Sequence, residues 1–193
     1  MEIFFKKKIL LASQSPRRQQ LIRDSGFDME VVHLDVDENF SPNLKGAQIP
    51  LFLAEKKNLN YDGDIGKDEV LVTADTVVWL EDQVLNKPAD MLEAYEMLRK
   101  LSGKKHTVYT AVCLRSNKDI ELFDEATDVY FNTLSDDMIQ YYLRNYKPLD
   151  KAGAYGIQEF IGYAGIKRIE GCYYNVMGFP VSRFIKELKT FSI

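Results

Sequence analysis

The chain has 193 residues, of which 46% are hydrophobic and 12% aromatic, enough to bury a sizeable core in one domain or two closely joined lobes. A net charge of -4 argues against a general nucleic-acid binder, and no run approaches the roughly 18 apolar residues of a membrane span. Two distant cysteines argue against a disulfide framework or zinc cluster, so we expect a cytoplasmic protein with no membrane partner.

Apolar periodicity and turn residues predict strands that alternate with helices. The first half of the chain is predicted to form a strand at 9–12, a helix from Pro16 to before Gly26, a strand at 27–34, a loop at 35–42 and a helix at 49–59. A strand at 70–80 follows and returns through 84–85. The second half is predicted to form a helix at 90–102, a hairpin of 105–116 and 120–131, a helix from Ser135 and a helix after Pro180. One long hairpin among alternating elements indicates an α/β fold with a mixed sheet. Six of the eleven glycines lie between 153 and 178, which is typical either of plain turns or of backbone that approaches a ligand.

The first helix begins with two arginines where a helix least tolerates positive charge. Ser15 is a good N-cap and Pro16 suits the first helical position, which places Arg17 and Arg18 in the first turn. Each arginine there costs about 0.3 to 1 kcal/mol unless an anion reverses the local field. Together with the hydroxyl of Ser13 and the free N–H groups, the arginines predict a phosphate pocket, the alternative being a solvated arginine pair.

A second anomaly is the carboxylate of Asp75, followed by Thr76, inside an otherwise apolar predicted strand. A carboxylate taken into such surroundings must be paired, metal-bound or protonated. Asp75 is therefore a candidate base or metal ligand, and the alternative is a carboxylate that caps a nearby loop through backbone N–H bonds.

The loop at 35–38 supplies clustered carboxylates from Asp35, Asp37 and Glu38. Magnesium prefers one or two carboxylates with waters and substrate phosphates as its other ligands, although such loops are also often merely solvated. Lys56 and Lys87 are candidate point contacts for phosphate. The chain has no P-loop, dinucleotide-binding, zinc-protease or Cys-x-x-Cys motif, and we assign neither histidine a role.

Four segments together resemble the Maf family of house-cleaning nucleotide pyrophosphatases: Leu-Ala-Ser-Gln-Ser-Pro-Arg-Arg at 11–18, Ala-Asp-Thr-Val-Val at 74–78, Lys87-Pro88 and Leu-Ser-Gly at 101–103. The segment 150–158 is similar to the form found in the branch that acts on dTTP and UTP, and differs from the 7-methyl-GTP branch. The resemblance implies a single domain over 1–193 with a mixed twisted sheet flanked by helices, two lobes around a central cleft, a likeness to inosine triphosphate pyrophosphatase, and frequent homodimers. It implies hydrolysis of a nucleoside triphosphate to the monophosphate and pyrophosphate.

The resemblance also implies roles for individual residues. Asp75 would be the catalytic base and would share a divalent metal, Mg²⁺ or alternatively Mn²⁺, with Glu38. The substrate would be bound by Ser13, Arg17, Arg18, Lys56, Thr76, Lys87 and Gln158. The chain departs from the family pattern where Lys57 follows Lys56 and where Glu159 and Phe160 follow Gln158. Two alternative functions stay open: a non-catalytic nucleotide-binding regulator of cell division, and a pyrophosphatase that prefers modified nucleotides such as 7-methyl-GTP.

Overall fold

The computed structural model describes residues 7–192. The strands are β1 (Lys8–Leu11), β2 (Met29–Val31), β3 (Glu69–Leu80), β4 (Gln83–Leu85), β5 (Lys105–Arg115), β6 (Ile120–Phe131) and β7 (Ile166–Glu170). The helices are α1 (Pro16–Asp24), α2 (Gln48–Leu59), α3 (Met91–Leu101), α4 (Asp136–Tyr146), α5 (Phe160–Gly165), α6 (Tyr173–Met177) and α7 (Val181–Thr190), with one 3-10 turn at Ala152–Ala154.

The strands form a mixed sheet in the order β2-β1-β3-β5-β6-β7, with β4 paired to β3. β1 is parallel to both β2 and β3, whereas β4 and β7 run antiparallel to their neighbours. The predicted α/β class with a mixed sheet is therefore confirmed. Among residues 7–192, no helix combines the length and apolar character needed to cross a bilayer.

Local signals mark the helix ends as the sequence predicts. Ser15 and Ser135 cap α1 and α4, and each side-chain hydroxyl accepts a backbone N–H from three residues further on. Gly103 follows α3 with φ of +72°, a left-handed conformation that glycine adopts without a steric penalty.

The glycine-rich stretch is more structured than its sequence suggests. Three short elements, α5, β7 and α6, lie within the predicted glycine-rich segment. Each has only five or six residues, too few to display a helical or alternating period. β2 is shorter than predicted because it pairs only with the four-residue strand β1, over three residues.

The chain divides into two compact units. Of the described residues, the first unit comprises 7–75, 110–125 and 178–192, and the second comprises 76–109 and 126–177. In the first unit, Leu10 of β1, Ala12 just after it and Leu71 of β3 form one apolar cluster. The expected cleft, the single-domain organisation and the likeness to inosine triphosphate pyrophosphatase stay predictions.

The second unit has an apolar core of its own, to which α3 and α4 contribute most of their buried side chains. Leu98 of α3 is fully buried in this core, whereas Leu92 of the same helix is 70% exposed. The two leucines therefore offer a matched test of which face of α3 stabilises the unit.

We expect Leu98→Ala to lower the free energy of unfolding by about 2 to 5 kcal/mol, because it removes buried methyl groups and leaves a cavity. Leu92→Ala should change that free energy by less than about 0.5 kcal/mol, since its side chain is already in solvent. Urea denaturation followed by circular dichroism measures both values. Equal losses for the two variants would contradict the assigned core face.

Candidate active site

The hydroxyl of Ser13 ties the start of α1 together. Its Oγ accepts a hydrogen bond from the backbone N–H of Ser15 at 3.3 Å and another from Nη1 of Arg18, also at 3.3 Å. Arg17 lies half-buried on the same turn. The structure therefore brings the serine and arginine of the predicted phosphate pocket into direct contact.

Arg18 joins this turn to two other backbone segments. Its Nε donates to the carbonyl oxygen of Gly178 at 2.9 Å, and its Nη1 donates to the carbonyl oxygen of Ala74 at 2.9 Å. Burial lowers the pKa of Arg18, and the nearby charge of Asp75 acts in the opposite direction. Because Ala74 directly precedes Asp75, Arg18 holds the arginine turn against the strand that carries the buried acid.

Asp75 is 9% exposed, and its carboxylate is paired with a lysine. The Nζ atom of Lys57 lies 2.7 Å from Oδ1 of Asp75 and 2.7 Å from Oε1 of Glu38. A carboxylate in an apolar strand must be paired, bound to a metal or protonated. Asp75 forms an ion pair with a lysine within residues 7–192. One ammonium group therefore brings together the central acid and the acidic loop.

The lysine that pairs with Asp75 is Lys57, the neighbour of Lys56, which the sequence predicts as a phosphate contact. The Nζ atom of Lys56 donates to the carbonyl oxygen of Asn39 at 3.2 Å and lies 3.7 Å from Oδ2 of Asp37. Lys56 thus contacts the acidic loop away from the buried carboxylate. In the sequence, Lys57 stands out only as a departure from the family pattern.

The register of α2 explains which lysine reaches the strand. Ala54 and Asn58 are fully buried: the Ala54 carbonyl accepts from Thr73 Oγ1 at 2.7 Å, and Asn58 Nδ2 donates to the Cys113 carbonyl at 3.1 Å. Lys57 shares a helix face with these residues because positions i, i+3 and i+4 lie together. The buried small and polar residues on either side of Lys57 were the signal that could have identified it.

The carboxylates of Glu38 and Asp75 are also the groups that could hold a metal ion. Both approach the same Lys57 Nζ atom, so their oxygens converge on one region of the first unit. No group of three or more acidic, histidine or cysteine side chains able to hold a metal occurs within 7–192. Two carboxylates fit a Mg²⁺ ion that takes its remaining ligands from water and phosphate.

The other three predicted site residues belong to the second unit. Thr76 follows Asp75 on β3 and is half-buried, and Lys87 is exposed in the loop after β4. Gln158 is half-buried, yet its Oε1 atom is fully buried and has no hydrogen-bond partner among residues 7–192. An unsatisfied buried acceptor of this kind calls for a donor from a ligand or from water.

The chain is similar to known proteins along nearly its whole length. Residues 8–191 match the model of a family described as Maf-like protein. Curated relatives named dTTP/UTP pyrophosphatase include those of Bacteroides fragilis, 49% identical over 94% of this chain and 95% of its own, and Bacteroides thetaiotaomicron, 48% identical over 95% and 96%. The relative from Phocaeicola vulgatus, with the same name, is 47% identical over 98% of both chains. The resemblance seen in the sequence is confirmed, and the chain belongs to the Maf family.

Proposed function

We propose that this chain hydrolyses nucleoside triphosphates, with preference for dTTP and UTP, to the monophosphate and pyrophosphate. The named activity of relatives that share nearly half of its residues over nearly the whole chain supports this proposal. Cytoplasmic location, homodimer formation and the absence of nucleic-acid partners stay predictions from the sequence.

The observation that carries the proposal is the buried Asp75 carboxylate beside an arginine-rich helix start. Its Oδ1 is 2.7 Å from the ammonium of Lys57, and the preceding carbonyl accepts from Arg18. A buried carboxylate next to cations and helix N–H groups is suited to hold a water molecule close to bound phosphate. A protein that only bound nucleotide would have little need of a buried carboxylate at this position, which favours the enzyme over the non-catalytic regulator.

The chemical step is a displacement at the α-phosphorus. The oxygen of a water molecule bonds to the α-phosphorus while one proton of that water passes to Asp75. The bond from the α-phosphorus to the oxygen that bridges to the β-phosphorus breaks, and pyrophosphate leaves with the electron pair. Such reactions depend on positioning and on charge stabilisation more than on covalent help from the protein.

Positive groups of the first unit supply that stabilisation. Arg17, Ser13 and the N-terminal N–H groups of α1 would bind phosphate oxygens, since a helix start favours anions. Lys57 neutralises one of the two negative charges of Asp75 and Glu38, which lowers the repulsion that an anionic substrate meets at these carboxylates. Arg18 carries a further role, because its bonds to backbone carbonyls place Asp75 relative to the arginine turn.

A nucleotide pyrophosphatase generally works with a divalent metal, and we propose Mg²⁺, with Mn²⁺ as an alternative. Glu38 and Asp75 would hold the ion. When bound, the ion supplies neutralisation of charge on the phosphate oxygens. The protein residues still orient the substrate and accept the proton.

Base selection is assigned to the segment 150–158, following the family resemblance. Gln158 offers a buried, unpartnered carbonyl oxygen, which suits the N–H of a thymine or uracil ring. Polar groups that go unpaired with the wrong base reject it more strongly than shape alone. Thr76 and Lys87 stay proposed substrate-binding residues from the same resemblance.

Replacing the buried acid tests the proposed base. Asp75→Asn should lower kcat on dTTP and UTP by about 10²- to 10⁴-fold, with a much smaller effect on KM, because the amide cannot accept the proton. Steady-state pyrophosphate release measures both constants. Asp62→Asn, at an exposed position of the first unit, is the matched control, and near-normal turnover by Asp75→Asn would refute the assignment.

Two neighbouring lysines distinguish the structural assignment from the sequence-based one. Lys57→Ala should reduce kcat by about 10²-fold or more, because it removes a cation that contacts two carboxylates where phosphate must bind. Lys56→Ala should lower kcat by less than about ten-fold, since Lys56 contacts only exposed groups of the acidic loop among the contacts described above. Lys56 stays a proposed phosphate contact from the sequence, and the reverse order of effects would make it the more important of the two lysines.

A nucleotide panel tests the substrate class. Pyrophosphate release should be fastest with dTTP and UTP, and removal of the metal with EDTA should abolish it until Mg²⁺ is restored. Fastest turnover of a purine nucleotide or of 7-methyl-GTP would overturn the pyrimidine preference. Tight nucleotide binding without any release would favour the non-catalytic regulator instead.

A further inference from the structure

The carboxylate of Glu159 lies where several polar contacts of the second unit meet. The hydroxyl of Tyr142, a fully buried residue of α4, donates a hydrogen bond to Oε2 of Glu159. The same hydroxyl accepts the backbone N–H of Gly156 at 3.0 Å. One phenol therefore joins the carboxylate to the backbone two residues before Gln158.

The second oxygen of Glu159 is occupied by Lys151. The Nζ atom of this 7% exposed lysine lies 3.1 Å from Oε1 of Glu159 and 2.8 Å from Oδ1 of Asp150. Lys151 and Glu159 stand at opposite ends of the stretch that precedes α5. Their ion pair therefore closes that stretch into a loop held from both ends.

Backbone packing leaves this loop little freedom. A Cβ atom added at Gly156 would lie 2.8 Å from the side chain of Glu159, so the loop backbone lies directly on the carboxylate. Next to Gly156, the hydroxyl of Tyr155 lies 2.8 Å from Nε2 of His106. Burial lowers the pKa of His106 to about 3, so this contact involves a neutral ring at ordinary pH.

Gln158 is located inside this network and is not satisfied by it. Its backbone carbonyl accepts from the hydroxyl of Tyr163, while its side-chain Oε1 is buried without a partner in the described part of the chain. The network therefore fixes the backbone on both sides of Gln158, whose Oε1 atom can still accept a hydrogen bond from a ligand. A rigid mounting of this kind is what a selective hydrogen bond to a ligand needs.

We infer that Glu159, held by Tyr142 and Lys151, is a positioning residue that sets the placement of Gln158 and thereby the selection of a pyrimidine base. The inference rests on the proposed function and extends it to three residues that do not touch the reacting atoms. Because Glu159, Tyr142 and Lys151 take no part in the proposed proton transfer, the network should influence base binding and leave the chemical step unchanged.

The test compares Tyr142→Phe with Tyr141→Phe. Loss of the Tyr142 hydroxyl removes the donor to Glu159 and the acceptor for Gly156, and keeps the buried ring. Tyr141 is the adjacent residue of α4, half-exposed and packed on Phe160, and supplies the same chemical change outside the network. Glu159→Gln keeps an oxygen for Tyr142 and loses only the ion pair with Lys151.

Tyr142→Phe should raise KM for dTTP and UTP about ten-fold or more, with kcat within two-fold of wild type, since a hydrogen bond to a charged group is lost. The kcat/KM preference for dTTP over dGTP should shrink by a similar factor. Glu159→Gln should fall between Tyr142→Phe and wild type, and Tyr141→Phe should match wild type.

Unchanged KM and base preference in both Tyr142→Phe and Glu159→Gln would overturn the inference, as would a lowered Tm as their only effect. If Tyr142→Phe does not fold, the milder Glu159→Gln decides the question alone. Calorimetric binding of the non-hydrolysable α,β-imido analogues of dUTP and dGTP repeats the comparison without turnover. Absence of pyrophosphate release by wild type would refute the proposed function, and the binding ratios would still decide the role of Glu159.

Discussion

The ion pair between Asp75 and Lys57 is the constraint on which the first unit depends. Asp75 is surrounded along β3 by buried apolar neighbours, and an unpaired carboxylate there would carry a desolvation cost of several kcal/mol. The ammonium at 2.7 Å offsets that cost and also draws in Glu38 from the acidic loop. Removing either partner alone would leave a buried charge unpaired, which is strongly destabilising, so each of the two residues depends on the other.

The arginine turn is organised around the same acid. Arg18 donates hydrogen bonds to two backbone carbonyls and to the hydroxyl of Ser13. The bond to Ala74 places the start of α1 beside Asp75. The two arginines are therefore unequal, since Arg18 also braces the backbone. A pair of adjacent cations at a helix start can in this way combine binding with positioning.

In the second unit, side-chain contacts fix the shape of the loop that precedes α5. The segment before α5 is short of regular structure, and its shape is determined by side-chain bonds from Tyr142, Lys151 and His106. Two residues that depart from the family pattern, Lys57 in the first unit and Glu159 in the second, each contact two polar side chains. A change at either position therefore alters a network and cannot be judged from the altered residue alone.

Sequence alone determined the order of the main elements, the capped start of α1, the mixed sheet and the family, because these follow from local periodicity, capping chemistry and motifs of contiguous residues. It also marked Asp75 as a charge that needed a partner. Only the tertiary structure decided that the partner is Lys57, since the choice between adjacent lysines depends on how α2 is rotated against the sheet. The contacts of Glu159 were equally beyond local reasoning, because Tyr142 and Lys151 approach it through the fold and not through a recognisable spacing.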